Sequence, residues 1–156
     1  MATGDETTRQ GDDYAARVYV AFKFDPARAT LWERTKFRVI RLLYRVDPPR
    51  AVINYIWASR LPKGQAMTSP HFDQITMVAV ESGPEKAGRW VCEGRNVYDD
   101  YLRLFGEAPT PLSGVAIMTD TDNTGEDAVA YYADLVLYSQ EALTRLLGAK
   151  GPAMAP

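Results

Sequence analysis

The succession of strand-like segments constrains what this chain can fold into more than any other feature. Residues 15–24 alternate apolar and polar side chains, as a strand with one buried face does. Further strand-like runs follow at 52–57, 75–80, 89–93, 115–118 and 129–138, and helical patterns at 30–45, 96–105 and 140–147. Helices do not regularly separate successive strands, so a parallel wound sheet is not expected. We predict a mainly β fold, an antiparallel β-sandwich with short helical insertions.

The size and composition of the chain fit one domain. Its 156 residues can bury a sizeable core, and 46 % of them are hydrophobic. We predict a flexible N-terminus over 1–13, a single β-sandwich domain over 14–138, and a C-terminal helix and disordered tail over 139–156. As written, without a signal-peptide pattern, the chain is expected to be cytoplasmic, and exported or periplasmic if its natural start lies upstream with a signal peptide.

Basic residues are concentrated in one part of the chain. The net charge of −2 argues against general nucleic-acid binding. Between Arg28 and Arg50, however, there are seven basic residues and two acidic ones. The arginines of the helix predicted over 30–45 follow one face, which can be solvated or can meet anionic lipid or a nucleic-acid backbone. A solvated face is the commoner outcome.

A polar loop at 119–125, Thr-Asp-Thr-Asp-Asn-Thr-Gly, is the main candidate for chemistry. Asp120, Asp122 and Thr124 match the DxDxT string of haloacid-dehalogenase-type phosphatases, with a nucleophilic first Asp and a second Asp as general acid/base. The few residues after Thr124 cannot build the α/β sheet that this motif opens. The loop also begins like a calcium loop, but the twelfth position holds Tyr131 where an EF-hand needs Glu. A phosphatase of that type and an EF-hand are therefore not expected.

Two interpretations of this loop stay open. It can hold Ca²⁺ through the carboxylates of Asp120 and Asp122, with Asp127 or Asp134 completing the site. It can instead be a structural turn, in which Asp and Asn accept hydrogen bonds from nearby backbone N–H groups and Gly125 adopts positive φ. The turn does not exclude ligand contact, so four of its residues are predicted to bind ligand: Asp120, Asp122, Asn123 and Thr124.

Aromatic and polar side chains form a second candidate site. Its members are Asn54, Tyr55, Trp57, Arg60, Arg89, Trp90, Arg95, Tyr131 and Tyr132. A sugar-binding face sets a flat ring against apolar C–H groups and polar side chains against the hydroxyls. Most such rings are simply core residues, so a place in the core is a commoner outcome than a place in a sugar-binding face. From this set we predict Trp57, Arg60 and Arg95 as ligand-binding residues.

Four segments, 11–22, 51–64, 80–109 and 114–135, together carry a family resemblance. The most distinctive string is Met-Thr-Asp-Thr-Asp-Asn-Thr-Gly, which ends at Gly125. The segments resemble an uncharacterised bacterial family, a domain of unknown function. The resemblance implies a galactose-binding-like, jelly-roll fold and an exported protein, but no activity. Relatives carry further strands before the first segment, so it also implies that this copy is truncated at its N-terminus.

Together these patterns favour a non-enzymatic binding domain for carbohydrate or another cell-envelope ligand. One alternative is a metal-dependent hydrolase in which Asp120 and Asp122 hold the ion. Another is a structural or partner-binding fragment whose interface is the basic helix over 30–46. We predict no nucleic-acid partner and no transmembrane segment, and Ca²⁺ is the one cofactor that the loop suggests.

Overall fold

The protein consists of five strands and three α-helices within the residues that its computed structural model describes, 4–45 and 48–149. The strands are β1 (Tyr14–Phe22), β2 (Ala51–Ala58), β3 (Ala66–Thr68), β4 (Ile75–Ser82) and β5 (Leu112–Asp120). The helices are α1 (Leu31–Tyr44), α2 (Val97–Phe105) and α3 (Gln140–Ala149), and a short 3-10 helix spans Arg9–Gly11. The predicted helix end at residue 46 and the predicted tail beyond residue 149 lie outside the described residues.

The five strands form one mixed sheet in the order β3-β4-β2-β1-β5. Antiparallel pairs join β1 to β2, β1 to β5 and β3 to β4, whereas β2 and β4 run parallel. The mainly β fold is therefore confirmed. The antiparallel sandwich is not what the described residues form, since they contain a single sheet with a parallel central pair. This pair arises because β3, which follows β2 in the chain, lies on the far side of β4 and runs antiparallel to it. The chain then returns through β4 in the same direction as β2.

Local signals define both ends of α2. The side chain of Asn96 accepts hydrogen bonds from the backbone N–H groups of Tyr98 and Asp99, and Gly106 ends the helix with a φ of 72°. The helix predicted over 96–105 is confirmed, and those predicted over 30–45 and 140–147 correspond to α1 and α3. No helix in the described chain has the length and apolar character needed to cross a bilayer.

The main core lies between the sheet and α2. Val20 and Phe22 of β1, Ile53 of β2 and Val78 of β4 are buried on this face. Tyr101 of α2 packs on them, and its ring centroid lies 4.4 Å from that of Phe22. The alternation of β1 places its apolar side chains on this side, and full burial of each contributes about 1.5–3 kcal/mol.

The N-terminal residues 4–13 cover part of the opposite face of the sheet. A second core cluster that includes Tyr14 and Met77 fills this side. Glu6 is buried, and its carboxylate accepts hydrogen bonds from the first two backbone N–H groups after β2. These bonds tie the start of the described chain to the end of a central strand.

Two predicted strands are wrong. The runs 89–93 and 129–138 form no regular secondary structure in the described chain. A strand needs a neighbouring backbone for its N–H and C=O groups, and strand-favouring side chains alone do not supply one. Gly88 turns the chain with a φ of 76° just before the first run, and Asp134 has a left-handed φ of 52° within the second. The first turn changes the direction of the chain before its run begins, and the second interrupts an extended backbone within its run.

Candidate functional site

The polar loop at 119–125 is closed by a side chain from the other end of the chain. Asp13 is buried, and its carboxylate accepts hydrogen bonds from the backbone N–H of Thr124 at 2.6 Å and of Asn123 at 3.3 Å, and from the Asn123 side-chain amide at 3.2 Å. Gly125 has a φ of 67°, and its N–H donates to the Thr121 carbonyl at 3.0 Å. The loop is therefore a turn fastened to the segment before β1.

Arg17 of β1 fixes the beginning of the same loop. Its guanidinium is buried and donates to the Asp120 carboxylate at 2.5 Å and to the Asp12 carbonyl at 3.4 Å. A buried cation of this kind is costly to leave without its partner. The charge of Asp120 is thus balanced within the protein.

The loop carboxylates have pKa values shifted in opposite directions. Burial raises the pKa of Asp13, but hydrogen bonds from Thr124 and Asn123 outweigh it and hold the pKa below its ordinary value. Asp122 is exposed, and the hydrogen bond and negative charge of the neighbouring Asp120 raise the pKa of Asp122. Asp13 is therefore an ion stabilised by its donors, whereas Asp122 carries a charge that its neighbour opposes.

Asp13, Asp120 and Asp122 are the carboxylates of this loop region that could hold a metal ion, because one oxygen from each lies within 4.8 Å of the others. Carboxylate oxygens are ligands that Ca²⁺ accepts. Asp127, predicted as a ligand from its position in the sequence, is not in this group. Both Asp13 and Asp120 already accept charge-balancing or backbone hydrogen bonds, so a cation would compete with contacts that hold the turn.

An open groove lies between the sheet and the irregular segments 87–97 and 129–137. Its two adjoining parts have volumes of about 650 Å³ and 330 Å³, which lie in the range of roughly 300–1,000 Å³ common for small-ligand sites. Residues that line both parts are Ala16, Trp57, Arg89, Trp90 and Tyr131. We refer to it as the aromatic groove.

Aromatic rings dominate the part of the aromatic groove that its two halves share. The exposed fraction is 72 % for Trp90 and 79 % for Tyr131, so the prediction that such rings are core residues is wrong for these two. Trp57 is half-buried, and its indole N–H donates to the Gly83 carbonyl at 2.9 Å, which fixes the ring. Two large rings are therefore available to a ligand and a third is held in place.

Most charged groups beside the aromatic groove are already paired within the protein. Lys63 donates to the Glu81 carboxylate at 2.6 Å, and Arg95 donates to the Asp100 carboxylate at 2.9 Å. By contrast, the part of the chain that the structure describes provides no carboxylate partner for Arg89. The Arg89 guanidinium, which lines both parts of the groove as Trp90 and Tyr131 do, is thus the cation that a bound ligand could use.

Two buried carboxylates near the aromatic groove are held in the charged form. Burial raises the pKa of Glu81, but hydrogen bonds from Lys63 and Lys86 lower it to about 2. Burial likewise raises the pKa of Asp100, and hydrogen bonds from Arg95 and the Tyr55 hydroxyl bring it below its ordinary value. These carboxylates support the groove wall from within.

The structure separates the predicted ligand-binding residues into two places. Trp57 and Arg95 line the aromatic groove, together with five other members of the predicted constellation: Tyr55, Arg89, Trp90, Tyr131 and Tyr132. Asn54 is buried, and Arg60 pairs with Asp5 at 2.9 Å and lines neither part of the groove. The remaining predicted residues, Asp120, Asp122, Asn123 and Thr124, stand in the polar loop.

Reasoning from the sequence missed Asp13, the side chain that organises the polar loop. Asp13 and Thr124 are 111 positions apart, so no local pattern links them. The available signal was the acidic pair at 12 and 13, directly before β1 and inside the first segment of the family resemblance. Arg89, Trp90 and Tyr131 were recognised as candidates by residue type, but nothing distinguished them from core residues.

One family comparison gives a match to this chain. A family model described as protein of unknown function (DUF3047) matches residues 1–136. A comparison with curated proteins gives no match, and a comparison with solved structures gives none either. The matched range includes Asp13, the polar loop and most of the lining of the aromatic groove. By the extent of that match, this chain belongs to the DUF3047 family of proteins of unknown function.

Proposed function

We propose that this domain is a non-enzymatic binding domain whose ligand is a carbohydrate or another polar cell-envelope molecule. The observation that carries the proposal is the exposure of two aromatic rings, Trp90 and Tyr131, in the wall of a groove of ligand size. Large aromatic side chains are mostly buried in folded proteins. Two exposed rings in a concave surface are therefore typical of a binding site.

The chemistry of the aromatic groove fits a sugar better than a wholly apolar ligand. The rings of Trp90 and Tyr131 can stack on the C–H face of a pyranose. Arg89 can donate hydrogen bonds to hydroxyl or carboxylate oxygens, since its guanidinium carries five N–H donors. The groove does not depend on a sandwich scaffold, because one sheet and the two irregular segments beside it are enough to form it.

Titration against a panel of soluble oligosaccharides, with and without calcium, tests the proposal. Tryptophan fluorescence and the thermal midpoint are measured for the wild type, for Trp90→Ala, and for Trp32→Ala as the matched control. Trp32 is 74 % exposed and lies on α1, away from the aromatic groove, so both variants remove a ring of similar exposure. Loss of a central stacking ring is expected to weaken binding by about 2 kcal/mol, or about thirtyfold.

Binding that Trp90→Ala weakens and Trp32→Ala leaves unchanged supports the proposal. If no oligosaccharide changes the fluorescence or the thermal midpoint of the wild type, the carbohydrate assignment fails. Equal losses in the two variants assign the binding to somewhere other than the aromatic groove. A requirement for calcium would bring the polar loop into the site, with Asp120 and Asp122 as the candidate ligands.

The second candidate function is a metal-dependent hydrolase, favoured by the clustering of Asp13, Asp120 and Asp122. Its support is weaker, because Arg17 and the backbone of the turn already engage two of these carboxylates. The hydrolase predicts metal-dependent turnover that Asp120→Asn abolishes in a protein that stays folded. If Asp120→Asn lowers the midpoint and no metal-dependent turnover is found, the turn interpretation gains.

A further inference from the structure

Few contacts join the helix α1 to the rest of the described chain. The ring of Phe37 stacks on Phe24 with centroids 3.7 Å apart, and Glu33 pairs with Arg50 at 3.2 Å. A capping box formed by Thr30 and Glu33 begins the helix. The helix is therefore formed and oriented in the free protein, while most of its described side chains are exposed.

The exposed side of α1 carries an apolar strip. Leu31, Val39 and Leu42 lie on one side of the helix, with Thr35 between Leu31 and Val39, and Trp32 lies beside them. The exposed fraction is 81 % for both leucines, 74 % for Trp32 and 49 % for Val39. Four apolar side chains of this size are rarely left in water on one side of a helix, so this surface is expected to be covered in use.

Basic side chains flank the apolar strip. Arg34, Arg38 and Arg41 follow each other along one border, and Lys36 lies on the other. Glu33 is the one acidic residue of the helix, and it is engaged by Thr30 and Arg50. An apolar strip between cationic borders is typical of a helix that lies in the interface of a membrane, with rings and leucines among the acyl chains and cations at the headgroups.

We infer that α1 binds the surface of an anionic lipid membrane. Charge complementarity favours this occupant, because each basic residue near such a surface adds about a fivefold gain in affinity. A nucleic-acid backbone would use the cations but leave Trp32 and Leu42 in water. A second copy of the chain would bring two cationic helices together, which like-charge repulsion opposes.

Co-sedimentation of the whole chain with vesicles tests the inference. Vesicles of phosphatidylcholine alone are compared with vesicles of phosphatidylcholine and phosphatidylglycerol in equal parts, at low and high salt. The wild type is expected to bind the anionic vesicles, less so as salt rises, and to bind the neutral ones weakly. Trp32 reports its own transfer, since its emission shifts to the blue on binding and the shift is lost in Trp32→Phe.

Two pairs of matched variants locate the binding surface. Leu42→Ser and Arg38→Gln alter α1, whereas Leu146→Ser and Arg145→Gln make the same changes at exposed positions of α3. Arg38→Gln is expected to weaken binding about fivefold and Leu42→Ser about tenfold or more, and the α3 variants to leave it unchanged. Far-UV circular dichroism and the thermal midpoint confirm that each variant is folded.

Three results would overturn the inference. The first is no binding of the wild type to anionic vesicles at low salt. The second is binding that the α1 and α3 variants weaken equally, which places the contact elsewhere. The third is self-association of the wild type, seen by analytical ultracentrifugation and lost in Leu42→Ser, which assigns the apolar strip to a second copy.

Discussion

The polar loop and the aromatic groove differ in how their polar groups are used. In the loop, the Asp13 carboxylate accepts from Thr124 and Asn123, and the Asp120 carboxylate accepts from Arg17. In the groove, Trp90 is mostly exposed and Arg89 has no carboxylate partner among the described residues. The loop is richer in oxygen ligands, yet the groove has more groups left for a ligand.

This difference shows why density of functional residues is a poor guide to a site. A buried carboxylate without donors is unstable, so a folded protein satisfies most of them internally. A ligand can gain only from groups whose interactions are incomplete in the free protein. By that criterion the string Thr-Asp-Thr-Asp-Asn-Thr-Gly mainly joins β5 to the segment before β1, and the irregular segments carry the proposed binding surface.

The largest expected effect comes from Asp13→Asn. An amide at this position would set an N–H group against the donors of the loop, and we expect the free energy of unfolding to fall by about 3 kcal/mol. Urea denaturation measures the loss. Asp127→Asn is the matched control, because Asp127 is exposed and follows the polar loop closely in the sequence, and it should change stability by no more than about 0.5 kcal/mol. Equal effects of the two changes would contradict the role given to Asp13.

Acidic pH should produce the next largest loss of stability. The pKa values of Asp13, Glu81 and Asp100 lie below their ordinary values in the folded protein, and that of Glu81 is about 2. A depressed folded pKa contributes stability that is complete above the unfolded pKa, near 4, and is lost as pH falls through the folded pKa. The urea midpoint should therefore be stable from pH 7 to 5 and fall steadily below pH 4. A midpoint unchanged at pH 3 would mean that these carboxylates are not stabilised in the folded state.

Local signals account for the parts of the fold that the sequence predicts well. Asn96 and Gly106 specify the two ends of α2 through hydrogen bonds and a positive φ that involve only nearby residues. The alternation of 15–24 similarly identifies β1, because its apolar side chains must share one face. These features require no knowledge of distant neighbours.

Pairing between distant segments accounts for what the sequence does not predict. The parallel pair of β2 and β4 depends on the route of the chain through β3, which leaves no periodic trace. The run 129–138 is predicted as a strand, but the left-handed backbone of Asp134 interrupts it. In the candidate site, Asp13 and Thr124 are likewise far apart in the sequence, so their hydrogen bond leaves no local pattern. The exposure of Trp90 follows from the irregular course of residues 87–97.

A smaller effect is expected for Arg89→Gln in the aromatic groove. If the proposed ligand carries a carboxylate, the change should weaken its binding about fivefold and leave a neutral sugar of the same size nearly unaffected. Stability should not change, because the Arg89 side chain has no ion-pair partner among the described residues. Calorimetric titration with an acidic and a neutral oligosaccharide separates the two cases. Arg145→Gln on α3 is the control for the loss of one exposed charge.

The contrast with Arg95 sharpens this test. Arg95→Gln removes a partner of the buried Asp100 carboxylate, so it should lower stability as well as alter the groove. If Arg89→Gln also lowered stability, Arg89 would be a structural residue like Arg95. The distinction between free and engaged cations in the aromatic groove would then be wrong.

The smallest expected effect is that of Asp122→Asn in the polar loop. Asp122 is exposed, and its pKa is raised because Asp120 opposes its charge, so neutralising it should raise the urea midpoint slightly at pH 7. Calcium should leave the midpoint of both proteins unchanged if the oxygens of the loop serve the turn. A calcium-dependent rise in the wild type that Asp122→Asn removes would make the loop a metal site. The carboxylates of the loop would then be available to a ligand in the free protein, as Arg89 and the rings of the groove are. The contrast between the two regions would no longer hold.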